Sequence, residues 1–279
     1  MGPSCSVVST RQPDAKLSQN GCTSRLTRSI GDEMFPTVSG GSFKMYRKLA
    51  GLLAVLSLGA CATPYVATPY DRADANVRSI AIMDDSAHDE AIAYEVASVG
   101  SNFGLIGALV DAGIQAERRG AVNRALASAN FDGEDVLERR LIQRLGGEGY
   151  QVAVHEGPAR AKRAFMVSYP GPEGATDAYL DIVVDHYGYL SPGAFQPFRP
   201  SASVKVRLVS AADPTKILMD NWIVYNVIAG SATGVITLAP NPEYEFQNRE
   251  QLLADPQRMA AGIEDALNQV ADTAVQLLR

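Results

Sequence analysis

Two segments in the second half of the chain alternate in polarity with a period of two and a third long strand follows them, and this pattern limits the fold more than any other. In Ala178 to Leu190, Leu180, Ile182 and Val184 point one way, and Asp181, Val183 and Asp185 point the other. Ser203 to Val209 alternates Val204, Val206 and Leu208 against Lys205 and Arg207, and Ile217 to Val227 is a third long strand containing Trp222. Ala211 to Lys216 (AADPTK) carries turn chemistry and joins the last two as a hairpin. The intervening Ser191 to Pro200 is a loop rich in Pro, Gly and Phe. Such strands have an apolar face that something else must cover.

The cover is legible too. Pro256 to Leu278 places Met259, Ile263, Ala266, Leu267, Val270, Ala274 and Leu277 on one helical stripe. Glu134 to Leu145 is a second amphipathic helix, with Asp132 as N-cap and Val136, Leu137, Leu141, Ile142 and Leu145 on its apolar face. Gly146, Gly147 and Gly149 end it, and Tyr150 to Val154 continues as a strand. Val77 to Met83 reads as an early buried strand and Phe165 to Tyr169 as a short one. The expected fold is α+β: a mixed or antiparallel sheet packed on one face by helices, including a long C-terminal helix.

A hydrophobic fraction of 46% and a charged fraction of 20% suit a packed core. A net charge of −6 gives no basic surplus for phosphates, so no nucleic-acid partner is expected. The three cysteines are Cys5, Cys22 and Cys61, so the region from Ala62 onward has neither a disulfide nor a thiolate metal site. His88, His155 and His186 show no metal-ligand spacing.

Lys44 to Cys61 reads KMYRKLAGLLAVLSLGAC. Arg47 and Lys48 precede an apolar run, Leu49 to Leu58, that is too short to span a bilayer as a helix. The run closes on Leu58-Gly59-Ala60-Cys61, which resembles the lipobox of bacterial lipoproteins. That resemblance implies cleavage before Cys61 and covalent diacylglycerol and acyl lipid on its thiol and new amino group, with no other cofactor. It also implies a membrane partner through the lipid anchor, and Ala62 implies the outer membrane, facing the periplasm. Residues 45–60 are then the signal peptide, 61–76 the lipidated cysteine and an extended Pro- and Thr-containing tether, and 77–279 the periplasmic domain. Residues 1–44 are polar and aperiodic; translation is expected to start at Met45, the alternative being a disordered extension.

Two stretches stand apart. Within an insertion near 100–129, Gly100, Gly104, Ala108, Ala112, Ala116 and Gly120 recur every fourth residue and form one small-residue helical stripe. Such a stripe serves either self-association or membrane contact between close helices, or tight packing within the protein's own core. Ile228 to Pro242 has no charge and reads as a buried crossover or as a loop that contacts a partner or lipid.

Several pieces together resemble periplasmic lipoproteins of the TolB-N-terminal-like and curli-secretion-channel type. They are the SIAIM of the early strand, the Leu145-Gly146-Gly147-Glu148-Gly149-Tyr150 helix-to-strand step, the Gly174-to-Leu180 element entering a strand, and the Asp213-Pro214-Thr215-Lys216 turn, which lacks that family's glycine. The resemblance covers roughly Val77 to Val227 and implies a non-catalytic role in envelope secretion, transport or assembly, with envelope proteins or a second copy of the chain as partner.

Residue chemistry points the same way. Asp181 and Asp185 share a strand face about 13 Å apart and read as solvated carboxylates. His186 is expected on the apolar side. Asp84-Asp85-Ser86 with His88 lacks a nucleophile elbow, and Gly146 to Gly149 follows a helix instead of preceding one, so it is no phosphate loop. The alternative function is a lipid-anchored periplasmic hydrolase with an unrecognised site.

Overall fold

The computed structural model describes residues 65–96, 104–156, 160, 164–170, 176–193, 195–226 and 234–279, without the side chains of 104–115. All belong to the compact unit Ala62–Arg279. Its elements are, in chain order, α1 (Arg72–Ala75), β1 (Ser79–Met83), β2 (Ile92–Glu95), α2 (Gly104–Ser128), α3 (Gly133–Gly147) and β3 (Gln151–His155). Then follow β4 (Ala178–Ser191), β5 (Arg199–Ser210), β6 (Ile217–Tyr225), β7 (Val235–Leu238), α4 (Arg249–Ala254) and α5 (Pro256–Gln276).

The strands form one mixed sheet in the order β3-β1-β4-β5-β6-β7, with β2 also paired to β4. The β4-β5-β6 meander is antiparallel, and the pairs β1-β3, β1-β4, β2-β4 and β6-β7 are parallel. Helices cover one face, so the α+β expectation holds. Met259, Ile263, Ala266, Leu267, Val270 and Ala274 of α5 are all buried against Leu180, Ile182, Val204, Val206, Leu208 and Ile223. Leu277 is half-buried, and Leu278 takes the buried place at the helix end. Each large side chain in this layer contributes roughly 1.5–3 kcal/mol of burial.

α3 begins and ends as its sequence directs. The Asp132 carboxylate accepts from the Glu134 and Asp135 amides, which satisfies two of the donors that a helix start leaves unpaired. At the other end, Gly149 takes a φ of +88°, the Tyr150 amide donates to the Leu145 carbonyl, and the Gly149 amide donates to the Gly146 carbonyl. That pattern is a Schellman ending, and it turns the chain directly into β3.

β4 is long enough to be paired twice along one edge. β1 takes Ala178 to Leu180 and β2 takes Gly188 to Ser191. Gly188 has a φ of +137°, and a Cβ there would lie 2.0 Å from the Ile92 carbonyl oxygen, so only glycine lets β2 approach. Between the two pairings, the register with β5 shifts between Val184 and His186. Asp185 is the extra residue of this bulge. Core-facing positions therefore change from Leu180, Ile182 and Val184 to Tyr187 and Tyr189. His186 lies on the other face, opposite Ser203, with its Nε2 3.0 Å from Ser201 Oγ, and not on the apolar side as uninterrupted alternation predicts.

Three further expectations are corrected. The expected tether is docked from Tyr65 onward. Thr68 makes a two-bond backbone bridge with Asp220, and the Tyr65 hydroxyl donates to the Asp220 carboxylate at 2.6 Å. Asp71 caps α1, and Arg72 lies over the Tyr150 ring. Phe165 to Tyr169 forms no strand; it folds across the sheet face turned away from the helices. Part of Ile228 to Pro242 is not a crossover but the edge strand β7, half-exposed beside β6; residues 227–233 lie outside the described set. β2 had no sequence expectation, being only four residues long.

Gly262 on α5 marks the tightest helix–sheet contact. A Cβ there would sit 2.1 Å from the Tyr189 hydroxyl and 2.8 Å from Tyr244 Cβ. Gly262→Ala gains about 1 kcal/mol of helix propensity but overpacks this contact, which costs about 1–3 kcal/mol. With Tyr244 Cβ fixed to its backbone and the Tyr189 ring enclosed in the core, the upper part of that range applies, and a net loss of about 1–2 kcal/mol is expected by urea denaturation. A variant as stable as the parent contradicts this packing.

Candidate functional site

Among the described residues, a cluster of ionisable groups lies at the C-terminal end of β1. The chain leaves β1 at Met83, and Asp84, Asp85, His88 and Asp89 follow in the loop toward β2. The N-terminal turn of α3 comes up beside them with Asp132 and Glu134, and together they line a cleft of about 400 Å³ floored by Phe131 and Tyr187.

Each side of the loop is held. Glu134 accepts from the Ser86 amide at 3.0 Å and the Ala87 amide at 2.5 Å. The Tyr187 hydroxyl donates to the His88 carbonyl at 2.6 Å, and Gly133 leaves room for that ring, since a Cβ there would touch it at 2.9 Å. On the opposite side, Arg160 donates to the Asp84 and Met83 carbonyls, and its own amide is hydrogen-bonded to the Asp85 carboxylate. Arg160 also pairs with Asp181 at 2.6 Å.

Asp181 is therefore no solvated carboxylate. It is fully buried, and it accepts from the Met166 amide at 2.7 Å and the Tyr169 hydroxyl at 2.8 Å besides Arg160. Asp185 pairs with Lys205 at 2.9 Å. These two carboxylates have separate partners and do not act as a pair.

Glu138 lies one turn along α3 from Glu134, and one oxygen each from Asp84, Glu134 and Glu138 lies within 4.8 Å of the others. Burial, then the charges of Glu134, Asp84 and Asp135, push the Glu138 carboxyl up to about 7. Burial also raises Glu134, against the two amides that favour its charged form. The Oε1 of Glu138 is buried with no hydrogen-bond partner. Such an arrangement holds a proton near neutral pH, or offers three carboxylate oxygens to a divalent cation. Serine chemistry is not built here. The Ser86 hydroxyl is buried and donates to the Met83 carbonyl, while His88 is exposed.

The signal for this cleft was present in the sequence as the i, i+4 pair Glu134 and Glu138, two like charges on one helix face. What brings Asp84 to them is the docking of the loop after β1 on α3, where the Ser86 and Ala87 amides donate to Glu134, and spacing alone does not reveal it.

The residues singled out from the sequence lie elsewhere. Cys61 and Gly100 are outside the described residues. Gly104, Ala108, Ala112, Ala116 and Gly120 all fall on α2 as expected, the first three in its part without described side chains. Ala116 is exposed, Gly120 is half-buried beside Arg124, and the face of α2 that enters the core is carried by Val122 and Leu126. The described end of the stripe thus faces away from the protein's own core. Among the described residues, no helix is long and apolar enough to cross a membrane. Neither a protein-family model nor a curated protein matches the chain.

The raised Glu138 pKa has a definite sign. Folded Glu138 stays protonated at pH values where the unfolded chain has released that proton. Its contribution is complete below about pH 4.5 and is lost as pH rises through about 7. Glu138→Gln is expected to raise Tm at pH 8 relative to the parent, with little change at pH 4.5. An equal Tm difference at both pH values contradicts this assignment.

Proposed function

We propose that this chain is a lipid-anchored component of a bacterial cell envelope that works by binding, in assembly, secretion or transport, and not by turnover. One observation carries the reading. The lipobox-like Leu58-Gly59-Ala60-Cys61, behind Arg47-Lys48 and its apolar run, ends at the residue after which the compact unit Ala62–Arg279 begins. A signal peptide cleaved before Cys61 leaves that unit whole, with the acylated cysteine at its start. Two or more acyl chains give stable anchoring. Ala62 favours the outer membrane, with the domain in the periplasm.

The likeness to TolB-N-terminal-like and curli-secretion-channel lipoproteins is supported by where its motifs fall. SIAIM is β1, Leu145 to Tyr150 is the turn from α3 toward β3, and Asp213 to Lys216 is the β5-β6 turn, closed by a Lys216 amide to Asp213 carbonyl bond of 2.9 Å. Fold analogy alone gives a class of role and not a reaction. The partner is an envelope protein or a second copy meeting the small-residue stripe of α2, the acyl lipid is the only group carried, and nucleic acid is no partner.

A second reading, a lipid-anchored hydrolase, has one observation in its favour: Glu138, with a pKa of about 7, lies behind an acidic cleft. Loss of a measurable hydrolytic activity in Glu138→Gln, with the fold intact, is what would establish it.

The proposal is tested by native mass spectrometry of the detergent-extracted protein. The expected mass is that of Cys61 to Arg279 plus acyl chains, as a defined multiple if α2 joins copies. Cys61→Ser is expected to lose the acyl mass and remain uncleaved. A membrane-extracted parent that has no acyl mass overturns the anchor.

A further inference from the structure

The distance between the proposed anchor and the folded domain is very short. Only Ala62, Thr63 and Pro64 separate Cys61 from Tyr65, which is docked on the domain. Fully extended, that stretch reaches about 14 Å from the Cys61 Cα to the Tyr65 Cα. A domain of this size has a radius of gyration of about 17 Å. The leash is thus shorter than the body it holds, and only the surface around Tyr65 can meet the bilayer.

Tyr65 cannot lengthen the leash by coming loose at little cost. Its hydroxyl donates to Asp220, its ring packs edge-on against Trp222 with centroids 5.9 Å apart, and its backbone carbonyl lies against Gly234, where a Cβ would be 3.0 Å away. Thr68 then fixes the chain to β6 through two backbone hydrogen bonds of 2.8 and 3.0 Å.

The surface at that point suits a headgroup layer. Val66 is an aliphatic side chain that is 77% exposed, directly beside the docked tyrosine. Trp222, the only tryptophan of the chain, is half-buried there, with its indole N–H donating to Ser203 and the Lys205 ammonium 5.5 Å from its ring. Amphipathic aromatic rings of this kind are enriched where apolar and wet surroundings meet.

We infer that the surface patch formed by Tyr65, Val66 and Trp222 lies in the headgroup layer of the bilayer that holds Cys61, so that the domain is clamped to the membrane at one fixed patch. This rests on the lipidation of Cys61. The opposite parts of the sheet are then held in the aqueous phase. β3 lies four strand spacings from β6, about 19 Å. Phe195, fully exposed, follows the end of β4, eight residues beyond Val183, which is level with Trp222, and so stands about 26 Å along the strand direction.

The test uses the full lipidated chain in vesicles of phosphatidylethanolamine and phosphatidylglycerol. Beyond Cys61 the chain has no cysteine, so Val66→Cys, Val154→Cys and Phe195→Cys each give one thiol for an environment-sensitive fluorophore. Val66 and Phe195 are exposed enough for substitution to leave the fold intact. The acyl mass and flotation with vesicles are checked first; their absence is a failure of the lipid anchor itself. With both present, nitroxide-headgroup lipids are expected to remove most of the Val66→Cys signal and to leave the other two unquenched. Equal quenching at all three positions, or none at Val66→Cys, overturns the inference.

Discussion

Asp181, Asp185, Lys205, Arg207 and Asp220 all lie on the sheet face turned away from the helices, and none is more than partly exposed. A charge removed from water needs a partner, and here each has one. Asp181 pairs with Arg160, Asp185 with Lys205, and Asp220 with Arg207. Breaking a buried pair such as Arg160–Asp181 costs about 3–5 kcal/mol, because one charge is left uncompensated, and breaking the partly exposed Lys205–Asp185 pair costs less. The chain segments that supply the cover are therefore held in place by the charges they cover. Arg160 and Tyr169 come from the connection between β3 and β4, and Tyr65 comes from the N-terminal segment.

This requirement links the fold to the proposed role. Asp220 accepts from both Tyr65 and Arg207, and its backbone pairs with Thr68, so a single residue of β6 fastens the start of the described chain. Arg160 does the equivalent at β1, tying the Asp84 and Asp85 loop to Asp181. The acidic cleft therefore has a firm wall on either side, and the putting together of Asp84, Glu134 and Glu138 follows from the packing of α3 against β1's end.

Much of this was legible in the sequence. The meander, α3 and α5 follow from periodicity and capping, since Asp132, Gly149 and the α5 stripe act through neighbours in sequence. Two of the misreadings share a physical cause, a partner far along the chain. Asp181 reads as a surface carboxylate until Arg160 and Tyr169 are placed over it. Tyr65 to Asn76 has the Pro and Thr content of a linker, but Tyr65 and Thr68 find partners 155 and 152 positions away, at Asp220. The bulge at Asp185 reverses the facing of all later residues in β4, and alternation cannot show where it is interrupted. β2 is too short for a period to be read, and β7 is hidden in an uncharged run of small and β-branched residues.

The central claim is that the segment following the proposed anchor belongs to the folded domain and is not a free tether. Hydrogen exchange at single-amide resolution on the detergent-solubilised, lipidated protein tests it directly. The Thr68 amide, donating to the Asp220 carbonyl at 2.8 Å, is expected to be protected to the same extent as the amide of Asp220 itself. Exchange of Thr68 at the rate of an unstructured peptide, with β6 still protected, would contradict it.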